Sequence, residues 1–218
     1  QCSYDGTIYN ATKVIERVGR LCDYVHFDEA WAGFMKFHPL FKGHFAMGLE
    51  NLDAKSPGII ASQSTHKQLA GFSQASQIHV RDNHIKGQPR RTEHRRFNEM
   101  FMLHCSTSPF YPLFASLDVD AHMHSGRNGL ALWDDTIRIG IETRKKLRTL
   151  KANFAKTSKD ERRSWFFDPF VPDVVTLKDA KFGSDIDRMP WEDVPTDLLA
   201  REQACWAFEP GASWHGFR

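Results

Sequence analysis

The chain lacks long apolar runs and is poor in cysteine, and both absences narrow what it can be. No stretch approaches the ~18 consecutive apolar residues of a bilayer-crossing helix, and no charged-then-apolar leader stands at the front. A cytoplasmic protein without a membrane partner is expected. Four cysteines, Cys2, Cys22, Cys105 and Cys205, are too widely scattered for a disulfide framework or a paired-cysteine metal site. Reduced thiols are expected, with Cys105 buried and inert. Internal repeats and low-complexity tracts are absent too, and net charge is nearly so: 29 Lys and Arg stand against 27 Asp and Glu.

What is present is core material. The 218 residues are 41% hydrophobic and 12% aromatic, with 17 Phe, a composition that excludes an intrinsically disordered chain. The length allows one large domain or two small ones. Charge is uneven along the chain. Residues 81–96 hold six basic and two acidic side chains, and residues 144–163 hold nine and two. Neither stretch is interleaved with stacking aromatics, so both read as solvated surface and no nucleic-acid partner is expected.

Apolar spacing predicts an amphipathic helix over 8–21, with Ala11, Val14, Ile15, Val18 and Leu21 on one face. A short strand over Tyr24–Asp28 follows, ending on an acid, and a second runs from Gly58 to about Ser62. QLAGFSQAS reads as a short helix or turn and QIHV as a strand. Helical patterns fall at about 97–103, 110–124 and 130–152, the last with Leu130, Trp133, Ile137, Ile141, Leu147 and Leu150 inward. Pro109 and Pro112 suit a helix start, and Gly126 and Gly129 punctuate the gap between the last two helices. Residues 155–163 read as a polar linker, after which strands and loops dominate. The fold class expected is α/β with a mixed, mostly parallel sheet, followed by an α+β portion.

In open α/β sheets ligands bind at the carboxyl ends of strands, and two such ends carry reactive side chains. One is Asp28 in HFDEAW; the other holds Ser64, His66 and Lys67 in SQSTHK. Alone, a strand-end Asp is usually a cap and a lysine usually solvated. Together they offer what pyridoxal phosphate needs: an amine to form a Schiff base, donors for a phosphate, and an acid partner for the ring nitrogen. Two other constellations are weaker. His122 and His124 do not share a helix face, so no metal site is expected, and His104 beside Cys105 and Ser106 is badly placed for proton transfer.

HFDEAW, SQSTHKQLAGFSQASQIHV, RFNEMFMLHCSTSPFYPLFASLDV, SWFFDPF and CWAFEPGASWHGF resemble the bacterial ornithine/lysine/arginine decarboxylases. These are pyridoxal 5'-phosphate enzymes of the aspartate-aminotransferase fold type (fold type I), and the likeness covers essentially the whole chain. It implies that Lys67 is the Schiff-base lysine, that Asp28 pairs with the pyridine nitrogen, and that Ser64 and His66 bind the phosphate. It implies further that Trp31 lies beside the cofactor and that Ser106 or Thr107 reaches the phosphate of a neighbouring subunit's cofactor. Active sites shared across a homodimer, or a higher homo-oligomer, follow from it. So does decarboxylation of a basic amino acid, with the longer loop DNHIKGQPRRTEHRR resembling the ornithine and some lysine enzymes more than the arginine ones. Transamination on the same cofactor, or a non-catalytic subunit of this fold, are the alternatives.

The resemblance assigns residues 1–155 to the C-terminal part of the cofactor-binding major domain. Residues 156–218 become a linker and the beginning of a small C-terminal domain. The chain then reads as an internal piece of a larger dimeric enzyme, expected by itself to bind cofactor poorly and not to turn over. Part of its aromatic and apolar content is then interface.

Overall fold

The computed structural model describes Tyr4 and residues 6–105, 107–157, 167–178 and 185–208. They divide into two compact units, Gln1–Leu130 and Ala131–Arg218.

The first unit opens with helix α1 (Ala11–Val18), which continues as a 3₁₀ turn through Leu21. It starts later than its apolar spacing predicts because the Asn10 side chain caps it, accepting the Lys13 N–H at 2.9 Å. Only Ala11 on its predicted face is fully buried; Leu21 is 86% exposed. Strands β1 (Tyr24–Asp28), β2 (Gly58–Gln63) and β3 (Gln77–Arg81) form one sheet in that order. β1 and β2 run parallel, with Tyr24 opposite Gly58 and Asp28 opposite Ser62. β2 and β3 run antiparallel, with Ile59 opposite Arg81 and Gln63 opposite Gln77.

The sheet is therefore mixed, but the expectation of a mostly parallel one is not met among the described residues. The reason lies between β2 and β3. Residues 64–76 form turns instead of a helix, and a parallel neighbour needs a crossover that carries the chain back to the starting edge. A chain that only turns comes back antiparallel.

One face of the sheet is packed. Ile59 and Ala61 are fully buried against Ala11, Ala46 and Leu49, with Ile15, Phe27, Met47 and Leu52 at the margin. The long connection between β1 and β2 reaches this core through 3₁₀ turns at Gly33–Phe37, Pro39–Phe41 and Ala46–Gly48. Strand alternation puts His26, Asp28, Ile60, Ser62, Ile78 and Val80 on the other face. There Ile78 and Val80 remain 49% and 42% exposed.

The first basic stretch is not simply solvated. Arg90 donates to the carbonyls of Ala54 and Ser56, each at 2.8 Å, and Arg91 pairs with Asp82 at 3.2 Å. Asp82 also accepts from the Tyr24 hydroxyl, which in turn accepts the Thr92 N–H. These bonds clamp the loop to the sheet. Helices α2 (His94–Met102), α3 (Tyr111–Met123) and α4 (Gly126–Thr157) follow. Gly126 and Gly129 lie in α4 itself, so the gap between α3 and α4 is shorter than their spacing predicts.

In the second unit α4 packs with β4 (Val174–Leu177) and β5 (Ile186–Pro190), an antiparallel pair, and with α5 (Thr196–Leu199). Its core holds Ile141, Val175, Leu177, Ile186, Trp191, Leu199 and Cys205. Burial pushes the Cys205 thiol up to about 11, so it stays protonated. Trp133 and Ile141 face inward as predicted, but Leu130 and Leu150 are 41% and 53% exposed. A helix of 32 residues presents more turns than two short strands can cover. Of the predicted polar linker, residues 158–163 lie outside the described residues. No helix among the described residues is long and apolar enough to cross a membrane.

Gly129 gives a test of the turn between α3 and α4. Alanine is the better helix former by about 1 kcal/mol, but a Cβ there would lie 1.9 Å from the His124 carbonyl oxygen. Gly129→Ala should lower stability by about 1–3 kcal/mol in chemical denaturation. A gain would contradict the close approach of the two chain segments.

Candidate active site

The site is built where β1 and β2 end. Pairing continues past both strands, the Glu29 N–H bonding the Ser62 carbonyl at 3.0 Å and the Ser64 N–H bonding that of Ala30 at 3.2 Å. These two bonds lock HFDEAW beside SQSTHK. Asp28 is exposed, and its Oδ1 accepts the Ala30 N–H at 2.9 Å, a local turn that fixes the carboxylate at the strand end. On the same face His26 Nε2 and Ser62 Oγ are hydrogen-bonded at 3.1 Å.

After Ser64 the chain turns, the Lys67 N–H closing on the Ser64 carbonyl at 3.1 Å. Lys67 is exposed, and its Nζ lies 5.3 Å from the centre of the Trp31 ring, within cation–π range. The His66 ring donates from Nδ1 to the Ala75 carbonyl at 2.6 Å, which leaves Nε2 to meet another partner. The structure thus gathers Asp28, Trp31, Ser64, His66 and Lys67 around two adjacent strand ends. It does not bring Thr107 to them: that residue is exposed beyond α2, with no hydrogen bond tying it to the group among the described residues. Ser106 lies outside the described residues.

Other residues of the site escape a reading of the motifs. Glu29, beside Asp28 but on the packed face, is 3% exposed. Its Oε1 accepts the Ala46 N–H at 2.6 Å and its Oε2 the Gln63 side-chain amide at 2.8 Å. Burial pushes its carboxyl above the ordinary value of 4.5, against those two hydrogen bonds, which pull it down.

Helix α3 turns a polar face inward, with Ser116, Asp120 and His124 at its end all buried while Tyr111, Phe114 and Val119 are exposed. The visible signal was three polar residues, Ser116, Asp120 and His124, at four-residue spacing, a pattern that hydrophobicity alone assigns to solvent. His122 points outward while His124 bonds Asp120, so the two histidines do part company. Cys105 corrects an expectation. It is exposed, since the segment from Met100 to Phe110 has no covering layer among the described residues.

An amine, a carboxylate, hydroxyls and an imidazole thus stand at neighbouring strand ends of a mixed α/β unit, where open α/β sheets bind ligands. Sequence comparison gives the family. The profile described as Orn/Lys/Arg decarboxylase, major domain, matches residues 1–218, and the chain belongs to that family.

It is 49% identical over 215 residues to the constitutive ornithine decarboxylase of Escherichia coli K12, covering 99% of this chain and 27% of that protein. With the inducible ornithine decarboxylase of Lactobacillus sp. 30a the identity is 46%, over 99% of this chain and 26% of the relative. With the biodegradative arginine decarboxylase of E. coli K12 it is 40%, over 100% and 27%. Among solved structures, a lysine decarboxylase of Francisella novicida superposes with a TM-score of 0.60 at 39% identity, over 81% of this chain and 22% of that one. The chain thus spans about a quarter of the length of the curated relatives it matches.

Glu29 supplies a pH test. A carboxyl raised by burial favours the fold most when protonated. Its contribution is therefore present at acid pH and lost as pH rises from 4.5 through the raised value. Glu29→Gln cannot ionise and removes that loss. In thermal melts of the full-length protein from about pH 4 to about pH 8, the variant should gain on the wild type as pH rises. Parallel curves would contradict the buried carboxyl.

Proposed function

We propose that the protein containing this chain decarboxylates a basic amino acid, ornithine or lysine in preference to arginine, releasing CO2 and leaving a diamine. The observation that carries this reading is the placing of Asp28 at the end of one strand and of Lys67 in the turn that follows its parallel neighbour, in a member of this family. Identity of 49% and 46% to two ornithine decarboxylases, against 40% to the arginine enzyme and 36% to two lysine enzymes, supports ornithine alone.

The donor set fits pyridoxal 5'-phosphate, whose aldehyde captures an amine and whose protonated ring accepts the electrons of the bond being broken. Lys67 would be the amine that holds the cofactor aldehyde, and its Nζ, once freed by the substrate amine, could carry a proton to the substrate Cα. Asp28 would hold the proton on the ring nitrogen, since a carboxylate beside a pyridinium favours the charged form of both. Ser64 Oγ and His66 Nε2 would bind phosphate oxygens. Trp31 would stand beside the cofactor.

In this reading Ser106 or Thr107 serves the cofactor phosphate of a second subunit, and the fold is of the aspartate-aminotransferase type. The shared site needs a homodimer at least. Exposed apolar side chains support that: Met100, Phe101, Met102, Leu103, Phe110 and Tyr111 are each 48–75% exposed, the kind of surface that marks an interaction site when it forms a patch. Residues 1–155 belong to the cofactor-binding part and 156–218 to the linker and the portion beyond. Cys22, Cys105 and Cys205 are free thiols, in keeping with a reducing cytoplasm.

The test is CO2 release by the full-length protein from ornithine, lysine and arginine. Lys67→Ala should abolish release, and Asp28→Asn should lower kcat by on the order of 10²-fold or more. Unchanged release in Lys67→Ala would refute the assignment.

A further inference from the structure

The segment that follows Lys67 has no regular secondary structure from residue 64 to 76, so its shape depends on individual hydrogen bonds. Several are internal. The Gly71 N–H meets the Thr65 carbonyl at 3.1 Å, the Ala75 N–H meets that of Phe72 at 2.7 Å, and both the N–H and the ring of His66 meet that of Ala75. Among the described residues, only two tie 68–74 to an element outside the loop, and both come from α3. Asp120 Oδ1 accepts the Ala70 N–H at 2.8 Å, and Ser116 Oγ accepts the Phe72 N–H at 3.0 Å.

The spacing is a geometric match. Four residues of helix rise about 6 Å, and two residues of open chain reach at most about 7 Å. One helix face can therefore grip alternate amides of the loop. Both grips are themselves held. Ser116 donates to the Leu113 carbonyl at 2.8 Å, and His124 Nδ1 lies 3.0 Å from Asp120 Oδ1 and 2.9 Å from the Asp120 carbonyl. The His124 ring meets Phe37 at 5.0 Å between centroids, and Phe37 ends the 3₁₀ turn that follows Trp31. Asp120 and His124 are 4% and 3% exposed, where a hydrogen bond to a carboxylate is sheltered from competing water.

We propose that Ser116 and Asp120 are positioning residues for Lys67: α3 holds the backbone of Ala70 and Phe72 so that the turn presents the lysine amine beside Trp31 and the Asp28 strand end. The inference rests on the proposed role of Lys67. It adds that the reactive geometry depends on a helix 50 residues further along the chain, through groups that never meet the substrate. Misplacing a reacting amine by about 1 Å costs on the order of 10²-fold in rate, and ground-state binding by the rest of the pocket is spared.

The test uses the full-length enzyme and the variants Asp120→Leu, Asp120→Asn and Ser116→Ala, with Lys67→Ala as control. Asp120→Asn keeps an oxygen for the Ala70 amide. Asp120→Leu should lower kcat by about 10- to 100-fold with KM within about threefold, and should speed amide exchange in peptide 68–74. Asp120→Asn should recover most of both, and Ser116→Ala should show the same pattern at smaller amplitude. If Asp120→Leu does not fold, Ser116→Ala carries the test alone. Wild-type kcat and exchange in the folded variants would overturn the proposal, as would a kcat loss with unchanged exchange at 68–74 or an Asn variant as poor as Leu. Full activity in Lys67→Ala would instead bring down the proposed function, and the positioning role with it.

Discussion

The parallel register between residues 28–30 and 62–64 is the constraint on which the candidate site depends. Strand side chains alternate with period two, so the pairing of Asp28 with Ser62 sets which groups look toward the open face and which toward the core. A slip of one residue in β1 would exchange Asp28 with Glu29. It would turn the exposed carboxylate inward and leave the Ala46 amide without its acceptor. The Glu29–Gln63 hydrogen bond, made on the packed face at the same level, opposes that slip. Two adjacent acids in one motif thus do different work: one is displayed, and the other locks the register that displays it.

The same economy governs α3. Its buried polar face would be a liability if any member lacked a partner, because an unpaired buried polar group costs about 1–3 kcal/mol. Asp120 and His124 instead satisfy each other, Ser116 donates to the Leu113 carbonyl, and Asp120 and Ser116 accept two loop amides. An irregular loop is thereby given a rigid wall. The cost is an outward face of Tyr111, Phe114 and Val119, all exposed.

Much of the first unit was legible because short strands and amphipathic helices leave period-two and period-3.6 traces. Tyr24–Asp28 and the region from Gly58 read as strands, and the α2, α3 and α4 regions as helices. Direction was not legible. Nothing within QIHV says that β3 runs antiparallel; that follows from a loop that turns where a helical crossover would have carried the chain back. Facing was legible only where apolar residues face inward. Trp133 and Ile141 obeyed, whereas α3 inverts the rule, and Leu130, Leu150 and Cys105 are exposed where burial was expected. In the candidate site, STHK and HFDEAW announced the chemistry-bearing side chains. The groups that hold them did not show, because the Asp120 to Ala70 bond joins residues 50 apart in sequence and exists only in the fold.

The central claim is that Lys67 is the amine that bonds the cofactor. Borohydride reduction of the full-length protein loaded with pyridoxal phosphate, followed by peptide mass mapping, tests it most directly. The account predicts one stoichiometric label, on the peptide that contains Lys67. A label confined to another lysine would contradict it.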